Sequence, residues 1–113
     1  MLLILIIAGM MFFQNAPEQG KASYYSDKLA GRPMAGGGVY RKEDFTAAHR
    51  TLSFGTKVLV THLGNGNSVE VVITDRGPFV KGRIIDLSRA AAEKLQMIAQ
   101  GVAAVKVEVL SAQ

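Results

Sequence analysis

One histidine and two aspartates stand in settings that suit chemistry. His49 lies in Thr46-Ala47-Ala48-His49-Arg50-Thr51-Leu52, where small residues leave room around its ring. Asp75 ends an apolar run, Val71-Val72-Ile73-Thr74, and is followed by Arg76-Gly77-Pro78-Phe79. Asp86 follows Gly82-Arg83-Ile84-Ile85 and precedes Leu87-Ser88. A carboxylate at the lip of a strand, partly out of water, holds its proton more tightly and can donate it to a leaving group. The same Asp-Arg-Gly-Pro run also reads as a turn capped by its aspartate. A neutral imidazole at position 49 can bind a sugar hydroxyl or shuttle a proton. A structural histidine with both ring nitrogens satisfied fits that position equally. Asp86 has a second reading too, as a carboxylate fixing a loop or favouring a helix N-terminus. Tyr24, Tyr25 and Tyr40 offer faces for sugar rings or fill a core. His62, close to a hairpin tip, reads as exposed. The two histidines have no third ligand at matching spacing and the chain has no cysteine, so neither a metal nor another cofactor is implied.

These groups need a scaffold, and the pattern around them is mostly β. Residues 22–26 read as an extended segment, 39–40 as a short strand, 56–63 and 69–74 as the arms of a hairpin, and 102–110 as a last strand. Gly64-Asn65-Gly66-Asn67 supplies residues that tolerate the positive φ of a tight turn. Gly31 to Gly38 is a loop, with three consecutive glycines at its end. One helix is expected over about 88–99, with Ser88 as N-cap, Ala91, Leu95 and Ile98 on its apolar stripe, and Gly101 to end it. Short strands, several turns and a single helix suggest a small closed β-barrel.

Length and charge narrow the classes. The chain has 113 residues and a net charge of +4, with every Lys and Arg at or after Lys21. One domain is expected over 20–113. The charge suits an anionic partner (nucleic acid, lipid headgroups or an acidic polymer), and scattered basic residues equally fit ordinary solubility. Nucleic acid is set aside, because no stripe of alternating basic and aromatic residues is present. Met1 to Phe13 is unbroken apolar sequence, too short for a membrane span and suited to a secretory signal or an N-terminal tether. Residues 14–19 read as a linker. Export is expected, with no cysteine to carry a lipid.

The segment from Gly20 to Leu110 resembles the RlpA-like double-psi β-barrel family. The resemblance rests on Gly20-Lys21-Ala22-Ser23-Tyr24-Tyr25, Thr46 to Leu52, Phe54-Gly55-Thr56, Asn65 to Val69, Asp75 to Phe79 and Gly82 to Ser88, in order and at matching spacing. Expansin and barwin-like barrels resemble it more distantly. The resemblance implies a mainly β, six-stranded double-psi barrel in a bacterial periplasm or envelope, acting on peptidoglycan as a monomer. The implied reaction is lytic transglycosylation of peptide-poor glycan strands between N-acetylmuramic acid and N-acetylglucosamine, leaving 1,6-anhydro ends. An expansin-like barrel that binds glycan without cutting it is the alternative. The resemblance implies His49 and Asp75 as catalytic residues, Asp75 as acid and base and His49 polarising or orienting substrate, while Asp86, Arg76, Tyr24 and Arg50 are expected to contact substrate. The family's Glu, eleven positions before the His, falls on Gly38. Glycine transfers no proton. Glu43 and Asp44 are the nearest carboxylates in sequence.

Overall fold

A computed structural model describes residues 16–111 of the chain. Six strands close into a barrel: β1 (Glu18–Tyr24), β2 (Thr46–Ala48), β3 (Lys57–His62), β4 (Ser68–Asp75), β5 (Arg83–Leu87) and β6 (Ala103–Ser111). One helix, α1 (Arg89–Lys94), lies between β5 and β6. The order around the barrel is β1-β5-β2-β4-β3-β6, and β6 pairs back onto β1. Two pairs are parallel, β1 with β5 and β2 with β4; the remaining pairs are antiparallel. A barrel leaves no unpaired sheet edge.

Alternation decides which face goes inward. Val58 and Val60 of β3, Val69, Val71 and Ile73 of β4, Ile85 and Leu87 of β5, and Val105 and Val107 of β6 are all buried in one cluster. Leu95 and Met97, just after α1, pack against it and are fully buried.

The structure departs from the sequence expectations at several points. The helix ends at Lys94, because Gln96 takes a left-handed backbone (φ 58) and the chain turns so that Met97 reaches the core. β1 begins at Glu18, inside the expected linker, and moves the start of the barrel two residues earlier. Residues 39–40 form no strand; a single bridge joins Pro33 to Val39. β2, only three residues long, carries no periodicity of its own, yet it lies between β4 and β5. His62 is 4% exposed, not a surface residue. Its Nδ1 accepts from the amides of Gly64 and Asn65, and its Nε2 meets Gln100 Oε1 at 2.8 Å. The N-terminal signal or tether expected over 1–13 lies outside the described residues. Among the described residues, no helix is long and apolar enough to cross a membrane.

Candidate active site

Strand register brings both aspartates to one row. Ala48 of β2 pairs with Asp75 of β4 on one side and with Asp86 of β5 on the other; Asp86 in turn pairs with Ser23 of β1. The neighbours of this row, Ala22, Ala47, Ile73, Ile85 and Leu87, belong to the core cluster. Ser23, Asp86 and Ala48 therefore face away from the core, and the bulge at Thr74 turns Asp75, two residues after the inward Ile73, to the same side. Two strand spacings separate the aspartates, so their Cα atoms lie about 10 Å apart. A register shift between Ala47 and Ala48 leaves Thr74 without a partner, a bulge that re-aims the end of β4. Ala48, 1% exposed, is the small floor between the two carboxylates.

Three donors converge on Asp75. Its Oδ1 accepts from the amides of Ala35 and Arg76, both at 2.9 Å, and its Oδ2 accepts from the Tyr25 hydroxyl. The loop carrying Ala35 is held against β4: Gly36 donates to the Thr74 carbonyl at 2.9 Å, and Thr74 Oγ1 donates to Met34 Sδ at 3.2 Å. Glycine is required at position 36, since a Cβ there would sit 2.6 Å from that carbonyl oxygen. Tyr25 packs on Tyr40 with ring centroids 4.6 Å apart. Burial, and then the bond to Asp75 and its charge, push the Tyr25 hydroxyl well above its ordinary pKa, so it remains a donor. Tyr25, Arg32, Pro33, Met34, Tyr40 and Asp75 line an open cleft of about 200 Å³.

Asp86 lies in a different environment. Burial pushes its carboxyl up to about 6, against the pull of the Ser23 hydroxyl (3.0 Å) and Arg83; the charge of Asp75 adds to the rise. The native protein thus keeps this proton up to about pH 6, whereas the unfolded chain releases it near 3.8. Stability from this group is full below about pH 4 and falls as pH rises to about 6, because folding above that range must bury an anion. Asp86→Asn keeps an acceptor for Ser23 and removes the charge. It is expected to be more stable than the wild type by of order 2 kcal/mol near pH 8, with the gain vanishing near pH 4. Urea unfolding at both pH values checks this, and equal stabilities at pH 8 would contradict it.

His49 is buried and its ring is fully engaged. Nδ1 accepts from the amides of Thr51 and Leu52, both at 3.1 Å, so Nε2 carries the proton and donates to Glu18 Oε1 at 2.8 Å. The His49 amide donates to the Asp75 carbonyl at 3.1 Å. Arg76 clamps the same turn: one guanidinium nitrogen donates to the carbonyls of His49 (3.1 Å) and Leu52 (2.8 Å), and the group stacks 3.9 Å over Phe54. Both side chains face protein, not the cleft; they fix the backbone on which Asp75 sits. Tyr24 turns to the helix side, where its hydroxyl donates to the Ile98 carbonyl at 2.8 Å. Its neighbour Tyr25 lines the cleft instead, together with Tyr40. Arg50 is exposed and makes no hydrogen bond or ion pair among the described residues.

Gly38 lies in the loop beside the cleft with φ 74, and a Cβ there would meet nothing within 4 Å. Glu43 lines a separate groove with Asp27, Lys42, Arg89 and Glu93. Asp44 is exposed in the turn whose amide bonds to the Arg41 carbonyl. Neither replaces a carboxylate at position 38. Nothing local in the sequence marks Glu18, Ser23 or Tyr25 as the partners of His49, Asp86 and Asp75; strand pairing across 31, 63 and 50 residues brings them together.

Comparison with known proteins follows the same outline. A family model described as lytic transglycolase matches residues 17–107. The probable endolytic peptidoglycan transglycosylase RlpA of Nostoc sp. is 57% identical over 94 residues, covering 81% of this chain and 25% of that protein. The endolytic peptidoglycan transglycosylase RlpA of Pasteurella multocida is 54% identical over 93 residues, covering 82% of this chain and 32% of that protein. The chain thus spans about a quarter to a third of these curated relatives. Among solved structures, the Streptomyces papain inhibitor superposes with a TM-score of 0.69 at 24% identity, over 85% of this chain and 96% of its own. An expansin of Clavibacter michiganensis superposes with a TM-score of 0.66 at 20% identity, over 85% of this chain and 51% of its own. These two show the fold.

Proposed function

This chain belongs to the lytic transglycolase family of double-psi β-barrels, and on that premise we propose that it cleaves the glycan strands of peptidoglycan in the bacterial envelope, acting on strands freed of peptide. The bond between C1 of N-acetylmuramic acid and O4 of N-acetylglucosamine breaks. The muramic C6 hydroxyl oxygen closes on C1, its proton passes to a base, and O4 receives a proton. No water is consumed. The transition state carries positive charge at C1, as in glycoside hydrolysis.

The observation that carries this reading is the Asp75 carboxylate, set in the cleft by Ala35, Arg76 and Tyr25. Asp75 takes the C6 hydroxyl proton and returns one to O4. Asp86, in the same row and titrating near 6, is the neighbouring group that keeps a proton in mildly acidic conditions. His49 acts as a positioning residue through the 49–52 turn. Gly38 favours a second reading, glycan binding without cleavage, because one proton-transfer group is missing and such a loss costs about 10²–10⁴-fold in rate.

The full chain incubated with peptide-free strands, and separately with peptide-bearing strands, tests the reading through release of soluble glycan fragments. Release from peptide-free strands is expected to dominate. Binding with no release from either would leave the non-catalytic reading, and faster release from peptide-bearing strands would overturn the substrate assignment.

A further inference from the structure

The cleft beside Asp75 is lined by one cation, Arg32. Its backbone is held in place: the amide donates to the Leu29 carbonyl at 3.0 Å and the carbonyl accepts from Tyr40 at 2.8 Å. The side chain is exposed and makes no hydrogen bond or ion pair among the described residues. Asp75 is not its partner, because Ala35, Arg76 and Tyr25 already supply the donors to both carboxylate oxygens. The other arginines of this region are engaged: Arg76 with two carbonyls and a ring, Arg89 with Glu93 at 2.9 Å. A guanidinium without a protein partner at the mouth of a cleft is suited to a planar anion, which it can grip through two parallel hydrogen bonds.

We propose that Arg32 recognises a carboxylate on the glycan, the lactyl group of a muramoyl residue whose peptide has been removed. The inference rests on the proposed function and gives it a selection device. With peptide attached, the same carbonyl is a neutral amide and cannot take up both N–H groups as an anion does. Asp75, in the same cleft, repels an acidic ligand, and Arg32 offsets that repulsion for an acidic sugar. Charge at this one position thus separates peptide-free strands from peptide-bearing ones.

Binding of the full chain is measured by calorimetry to three probes: peptide-free strands, the same strands with lactyl carboxylates converted to methylamides, and N-acetylglucosamine hexamer, which has no lactyl group. The wild type is expected to prefer the first probe over the second by about ten- to a hundredfold, the range of a charged hydrogen-bonded pair. Arg32→Gln is expected to bind the first two alike, at the weaker level, and Arg32→Lys to recover part of the preference as a point charge. Melting temperatures within a few degrees of wild type, expected for an exposed site, tie the loss to recognition. A preference that survives Arg32→Gln overturns the inference. Equal wild-type affinity for all three probes overturns it while leaving glycan binding intact, and no affinity for any probe overturns the glycan reading together with it.

Discussion

Asp75→Asn is expected to lower formation of 1,6-anhydro products by about 10²–10⁴-fold, the usual cost of losing a proton-transfer group. The substitution is well suited to the site. An asparagine oxygen can keep the bonds from Ala35 and Arg76, while its amide donates to the Tyr25 oxygen. Geometry and floor therefore stay as they are, and only the capacity to carry a proton goes. Affinity for peptide-free strands is expected to remain within a few-fold and the melting temperature within a few degrees. Products formed at the wild-type rate would remove Asp75 from the reaction. A large loss of affinity or stability would instead assign it a structural role as the anchor of the 33–36 loop.

The second large effect runs the other way. Gly38→Glu introduces a carboxylate at the position where the family resemblance implies one, and the turnover gained is expected to reach about 10²-fold or more. Space is available, since nothing lies within 4 Å of a Cβ at this position. The cost is backbone strain, because φ is 74 and a left-handed residue with a side chain loses about 1–2 kcal/mol. Gly38→Gln bears the same strain without the charge and serves as the control. Faster product formation by Gly38→Glu than by Gly38→Gln, at equal melting temperatures, is the expected result. Equal rates for the two would show that a carboxylate at position 38 adds nothing to the reaction.

Much of the fold is legible in local pattern. Val58 and Val60, Val69, Val71 and Ile73, and Val105 and Val107 alternate inward as strands of a closed barrel must, and the Gly64–Asn67 turn joins two of them. β2 is not legible in this way, since three residues carry no period and its pairing is wholly nonlocal. The helix ends earlier than its composition suggests because burial of Met97 outweighs another turn. At the site, Asp75 and His49 stand out by type and context, but their working relations do not. Glu18 sits in a polar stretch that looks like a linker, yet it receives the His49 ring N–H. Of two adjacent tyrosines, strand alternation sends Tyr24 to the helix side and leaves Tyr25 for Asp75. Arg76 and His49 carry the residue types of a binding site and spend them on one turn of backbone, a choice set by burial that no local spacing reveals.

The most direct measurement is the identity of the new chain end. Peptide-free glycan strands are digested by the full chain in isotopically labelled water, and the products are analysed by mass spectrometry. Muramic ends in the 1,6-anhydro form, without label and absent with Asp75→Asn, are the expected result. Labelled reducing ends would mean hydrolysis, and bound but uncut strands would mean a glycan-binding barrel; either would contradict a transglycosylase working through Asp75.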